Sequence, residues 1–369
     1  MARGVYVTTE RTVDKKIKVD VLCDDSENPH MHDLPIWNDA QVNALEDSGL
    51  FKINNITKIV TADAVRKMRW ENKYQGYTFP KPESSDAEVI ISSAIDQQAK
   101  ALSWNIFAEY KYKVFVADEP IYNPDARLDI QQQVVKREHE KFINILKPDL
   151  ILYSCKRDCL LSPADSLLWT NLIDYVTQDI EPISVVAGQG FPHHQKKIAG
   201  ILAFTNETAG SWLGRLASID AIRRITHNLD IDMEEYNRDG ICRQNYMELC
   251  KTVRSAALQF LPTHGCWFHN LRFLQSWFMG SIPIVVNKNG WLLDPLLNEL
   301  YGDFIQKHNY TTCVLTDPAN LEDDLKKCVL DHQYLNYMLH NVATLDLTEH
   351  SWKHVMLQLY HKIAGDLYD

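Results

Sequence analysis

Short apolar runs rich in Val, Ile and Leu alternate with longer stretches whose apolar positions recur at helical spacing. In the first half the runs predict strands at Ile17–Cys23, Ile56–Thr61, Ala87–Ser92, Lys113–Ala117, Asp149–Tyr153 and Pro182–Val186. Helices are predicted between them at Asn38–Asp47, Asp96–Tyr110 and Leu128–Leu146. The Gly-, Pro- and polar-rich stretch Ala187–Lys197, AGQGFPHHQKK, then interrupts the pattern as a linker would. Beyond it the alternation restarts. Strands are predicted at Ile198–Phe204, Ala257–Leu261, Ile282–Val286 and Thr312–Leu315. Helices are predicted at Leu213–Asn228, Asn245–Ser255, Asn270–Gly280 and Leu292–Leu300, with two more within Pro318–Tyr368. Strands that alternate with helices predict α/β layers with parallel sheets. The chain therefore reads as two units, 1–190 and 191–369, with the last helix placed to pack back on the first. Ligand clefts in such folds face the carboxyl ends of parallel strands.

Composition narrows the picture without deciding it. The chain has 369 residues, enough for two cores, and its 45% hydrophobic and 24% charged content is ordinary for a globular protein. No apolar run reaches the roughly 20 residues of a membrane span. The N-terminus lacks the apolar core of a signal peptide, so a cytoplasmic protein is expected. Eight scattered cysteines form no CxxC pair, which points to reduced thiols without a structural metal. A net charge of −11 argues against coating nucleic acid by bulk attraction and leaves room for local basic patches.

The densest chemistry lies in Leu258–Val286, LQFLPTHGCWFHNLRFLQSWFMGSIPIVV, a strand, polar turn, helix and second strand. Asn270 is placed as an N-cap and Gly280 as the helix-ending glycine. Arg272 and Gln275 share a helix face near that N-terminus. A cation, an amide and unpaired helix N–H groups together suit a diphosphate with its ribose; a solvated βαβ unit is the bland alternative. Asp118 follows the strand KVFVA at its carboxyl end, where a carboxylate can take a proton from an attacking hydroxyl; Asp-Glu-Pro is equally a turn opener. The segment Thr205–Arg215, TNETAGSWLGR, carries small and hydroxyl residues, Thr208 and Gly210 among them, that let backbone N–H groups approach phosphate. Arg215 sits in the helix that follows. His264 and His269 flank the turn before Asn270, for a nucleotide contact or an inert loop. Arg66, Lys67, Arg69 and Lys73 interleave with Trp70, Tyr74 and Tyr77, which suits a phosphate backbone and unstacked bases or a solvated face.

In order, from about residue 85 to the C-terminus, these segments resemble the T-even-type phage DNA β-glucosyltransferases, GT-B enzymes. The stretch AEYKYKVFVADEPI is similar to the family's segment ending in its general base, which implies that role for Asp118. The stretch AGSWLGRLASIDAI resembles its phosphate-binding turn and puts Arg215 on a donor-contacting arginine. NLRFLQSWFMGSIPIVV resembles its Arg-x-x-Glu helix, which maps Arg272 to the diphosphate and Gln275 to the ribose, an amide standing where the family has a carboxylate. The resemblance implies two Rossmann-like domains with parallel sheets facing an interdomain cleft. It implies inverting transfer of glucose, or a pentose such as arabinose, from a UDP-sugar to 5-hydroxymethylated pyrimidines in double-stranded DNA. The target base would be flipped out, with Lys196 and Lys197 joining the basic patch on the DNA. No tightly bound cofactor is implied, and a divalent metal is not required. The protein is expected to be a monomer in the host cytoplasm if phage-encoded. A GT-B enzyme with a glycan or small-molecule acceptor and a non-catalytic GT-B-like binding protein are the competing readings.

Overall fold

A computed structural model describes residues 16–25, 34–60, 85–92, 109–117, 136–137, 139–140, 143–144, 146–153, 156–169, 172–178, 180, 197–201, 213–236, 246–262, 270–286, 311–317 and 319–368. Two parallel sheets organise the chain. The first contains β1 (Ile17–Asp25), β2 (Phe51–Val60), β3 (Val89–Ser92), β4 (Tyr112–Ala117), β5 (Leu150–Tyr153) and β6 (Ser166–Leu168) in the order β2-β1-β3-β4-β5-β6. The second contains β7 (Lys197–Ile201), β8 (Asp232–Tyr236), β9 (Leu258–Pro262), β10 (Ile282–Val286) and β11 (Val314–Thr316) in the order β11-β10-β9-β7-β8. Every described pairing is parallel.

Central strands are buried on both faces, which is why they read as unbroken apolar runs. In the first sheet, alternate residues divide between two cores. Val19, Val21, Val89, Ile91, Val114, Val116, Leu150 and Leu152 face one side, and Leu22, Ile90, Phe115, Ala117, Ile151 and Tyr153 the other. The edge strands β6 and β8 escaped the sequence reading for a physical reason. β8, DMEEY, pairs only with β7 and carries three acidic residues, as edges that must not recruit another strand often do.

The described helices are α1 (Leu34–Asp47), α2 (Lys156–Leu161), α3 (Ile173–Val176), α4 (Leu213–Asn228), α5 (Tyr246–Ser255), α6 (Asn270–Met279), α7 (Leu321–Leu330), α8 (His332–Ala343) and α9 (Trp352–Tyr368). Beyond residue 318 there are three α-helices, not the two expected. Asp331 ends α7 in an extended conformation, and its carboxylate accepts the Tyr334 N–H to start α8. α4, α6, α7 and α8 close the second sheet's core, which runs from Ile219 to Val342. α9 does not join it. Val355, Met356, Leu359 and Ile363 enter the first sheet's core instead, beside α1 and α3. The chain thus returns to the first unit at its end. The strand expected at Pro182–Val186, the helix at Leu292–Leu300 and nearly all of the helix at Asp96–Tyr110 lie outside the described residues.

One device fixes the strand register. The β1–β2 pairing shifts between Val19 and Asp20, which leaves Asn54 as the extra residue. The buried Asp20 carboxylate fills the gap, accepting the Asn55 N–H at 3.1 Å, the Ser85 hydroxyl at 2.9 Å and the Tyr110 hydroxyl at 2.6 Å. Burial and that carboxylate together push the Tyr110 phenol far above its ordinary range.

Candidate functional site

In an open parallel sheet the connections leave a crevice where the strand order reverses. The second sheet reverses between β7 and β9: the chain steps from β7 out to β8, then returns to the other side of β7. β7 ends at Ile201 and β9 at Pro262, and the described helices that next follow those two ends are α4 and α6. Arg215 and Arg272 are each the third residue of their helix. The topology therefore sets two arginines on the first turns of the two helices that flank the crevice. A helix N-terminus carries N–H groups without an intrahelical partner and the positive end of the macrodipole, a combination that selects an anion.

Packing fixes the direction of α6. Phe273, Leu274 and Trp277 are buried between β9, β10 and the strand region of β11, with the Phe273 and Trp277 rings edge-on at 4.4 Å. The Trp277 indole donates to the Thr312 carbonyl at 3.0 Å. The helix stops at Gly280, whose φ of +75° suits glycine. The Gly280 N–H returns to the Trp277 carbonyl and the Ser281 N–H to that of Ser276, a paired closure of the last turn. Asn270 is the first helical residue, one place further in than its expected capping position.

Gln275 differs from expectation. It is 1% exposed, its amide donates to Cys250 Sγ on α5 at 3.2 Å, and its oxygen accepts from Gln259 on β9 at 3.5 Å. Ser276 donates to the Gln259 side-chain oxygen in turn. This polar layer ties α5, α6 and β9 together and takes up the Gln275 amide in the interior. A lone sequence cannot show this, because i and i+3 share a face whether that face is wet or dry.

The first sheet has its own reversal, between β1 and β3. Ser92 ends β3 there, fully buried, with its hydroxyl lacking a hydrogen-bond partner among the described residues. β4 ends at Ala117, so Asp118 is the next residue along a strand whose carboxyl end faces the same side of the sheet. Asp118 itself, Thr208, Gly210 and His264 lie outside the described residues, as do Arg66, Lys67, Arg69, Trp70 and Lys73. Among the described residues no group of three or more His, Cys, Asp or Glu side chains is placed to hold a metal, and no helix is long and apolar enough to cross a membrane. Burial pushes the Cys313 and Cys328 thiols up to about 12, which makes both poor nucleophiles.

No sequence-family model and no curated protein matches the chain. Solved structures do match, over nearly the whole length. A trehalose 6-phosphate synthase from Burkholderia multivorans superposes with a TM-score of 0.54 at 10% identity, covering 95% of this chain and 98% of the other. Anabaena HepE, solved with UDP and glucose, gives 0.52 at 8% identity over 95% and 100%. The UDP-GlcNAc 2-epimerase of Neisseria meningitidis, bound to UDP-GlcNAc, gives 0.52 at 10% over 94% and 100%. The fold is GT-B. At these identities the likeness speaks to the fold alone. Sequence reasoning missed Asp174 and Trp352, which meet across 178 positions of chain, because no local pattern marks such a pair.

Proposed function

We propose that the protein is an inverting glycosyltransferase that moves a sugar from a UDP-sugar to a 5-hydroxymethylated pyrimidine in DNA. One observation carries the donor half: the reversal of the second sheet puts Arg215 and Arg272 on the first turns of the two helices beside one crevice. Two solved structures of the same fold hold UDP or a UDP-sugar, which supports the same choice of ligand.

In this reading the diphosphate lies against both helix N-termini and the Thr205–Gly210 turn. Negative charge grows on the departing UDP, and fixed cations and N–H groups stabilise it more in the transition state than in the bound donor. Asp118, next after β4, accepts the proton of the hydroxymethyl group as that oxygen attacks the anomeric carbon from the face opposite UDP, inverting it. The base reaches the cleft only when flipped from the duplex. Arg66 to Lys73 supply the phosphate contacts. The DNA acceptor rests on the ordered resemblance around Asp118.

The net charge of −11 favours a second acceptor class, a glycan or small molecule, with the same donor site. Incubation with a panel of UDP-sugars and hydroxymethylcytosine duplex, followed by nucleoside mass spectrometry, separates the two. A hexose or pentose mass gain is expected, absent in Asp118→Ala with the fold retained. UDP release without nucleoside gain supports the second acceptor class, and neither signal with any donor sinks the enzyme reading.

A further inference from the structure

A layer of interior hydrogen bonds holds α6, the helix whose first turn carries Arg272. Gln259, Gln275, Ser276 and Cys250 are all buried. The Gln275 amide joins α6 to Cys250 on α5 at 3.2 Å, and its oxygen meets the Gln259 amide of β9 at 3.5 Å. The Ser276 hydroxyl donates to the oxygen of that same Gln259. Just past the end of α6, the Ser281 hydroxyl reaches the Val253 and Ala256 carbonyls at the end of α5. The contacts on α5 advance from residue 250 to 256 as those on α6 advance from 275 to 281. The two helices therefore lie side by side and run in the same direction. α6 is tied at its middle and beyond its end, to a strand on one side and to a helix on another.

We propose that Gln275 is a positioning residue for the donor diphosphate: with Gln259 and Ser276 it fixes the first turn of α6, and it acts through Arg272 without touching the nucleotide. The proposal rests on the donor-site reading given above. Two kinds of contact hold this helix, and they do different work. Phe273, Leu274 and Trp277 press it onto the sheet, but apolar contact is non-directional and tolerates small slides and rotations. Hydrogen bonds are narrow in distance and angle, and a buried polar atom that loses its partner is costly. The layer therefore sets the height and rotation of α6, which burial alone leaves loose. Gln275 stands one turn after Arg272, so the nearest fixed point of the helix lies directly behind the residue that meets the phosphate. Misplacement by about 1 Å is enough to cost a charged contact much of its effect. An apolar residue of the same length would fill the space and release that constraint.

Calorimetric titration of the full-length protein with UDP, and displacement of UDP by inorganic pyrophosphate, test it. Gln275→Met keeps the length of the side chain and removes both of its hydrogen bonds. It should weaken UDP by about fivefold to tenfold, and pyrophosphate by the same factor, since the effect passes through the diphosphate contact. In an Arg272→Ala background Gln275→Met should add less than about twofold, whereas in an Arg215→Ala background its full factor should persist. Ser276→Ala cuts the layer at Gln259 with a smaller change of volume, and should show the same pattern with a smaller factor. A purely structural role would lower the unfolding midpoint without this dependence on Arg272. Weaker UDP with unchanged pyrophosphate would mean that Gln275 touches the nucleoside, and would overturn the proposal. So would unchanged UDP affinity in Gln275→Met, or an equal loss with and without Arg272. Unchanged UDP affinity in Arg272→Ala, or no displacement of UDP by pyrophosphate from the wild type, would sink the donor-site reading itself.

Discussion

Two buried polar residues of the first sheet show how the same burial has opposite consequences. Asp20 is surrounded by three donors, so Asp20→Ala strands the Tyr110 and Ser85 hydroxyls and the Asn55 N–H. Loss of about 3 kcal/mol is expected in urea unfolding, since each buried orphan costs roughly 1–3 kcal/mol before partial rearrangement. Ser92 already lacks a partner among the described residues. Ser92→Ala removes an unpaired hydroxyl and leaves stability unchanged or raised by up to about 1 kcal/mol in the same assay. A clear loss on Ser92→Ala would mean that its hydroxyl is paired in solution. Asp20 was not recognisable in the sequence. One acidic residue inside a Val-rich strand looks like a polar interruption until the residues that surround it are brought in from positions 55, 85 and 110.

At the scale of elements, local signals did most of the work. α4 was bounded at both ends by its apolar periodicity, and Gly280 announced the end of α6. Gly280→Ala tests whether that glycine acts through backbone conformation. A β-carbon at φ +75° costs about 1–2 kcal/mol, and that loss should appear in thermal unfolding while binding of UDP is retained. A loss of UDP affinity at constant stability would point instead to a change in α6 itself. Among the elements that went unrecognised, β6 and β8 are short edges whose pairing partner lies on one side only, so their residues need not alternate or be apolar.

For the whole molecule, the decisive feature is that two sheet reversals and a returning helix are assembled by one chain. The proposed function predicts that UDP, binding the native state alone, raises stability by about 2.7 kcal/mol at a hundredfold excess over Kd, a rise that calorimetry should register. Arg272→Ala removes one charge-assisted contact in the proposed site and should weaken UDP by about tenfold to a hundredfold without lowering the midpoint of the ligand-free protein. An unchanged UDP shift in that variant would remove Arg272 from the donor site.

The sequence by itself determined where most strands and helices begin and end, because burial on one helical face leaves a period and burial on both strand faces leaves an unbroken apolar run. It also marked Arg215 and Arg272 as residues close to helix starts. Tertiary structure alone decided that β7 and β9 are the neighbours between which the second sheet reverses, and so that those two helices flank one crevice. It likewise turned Gln275 into the core, carried α9 back to the first sheet, and brought Asp174 to Trp352. Strand order, the wet or dry side of a helix and a contact between distant residues are set by the summed packing of the chain, and no short window of residues records that sum.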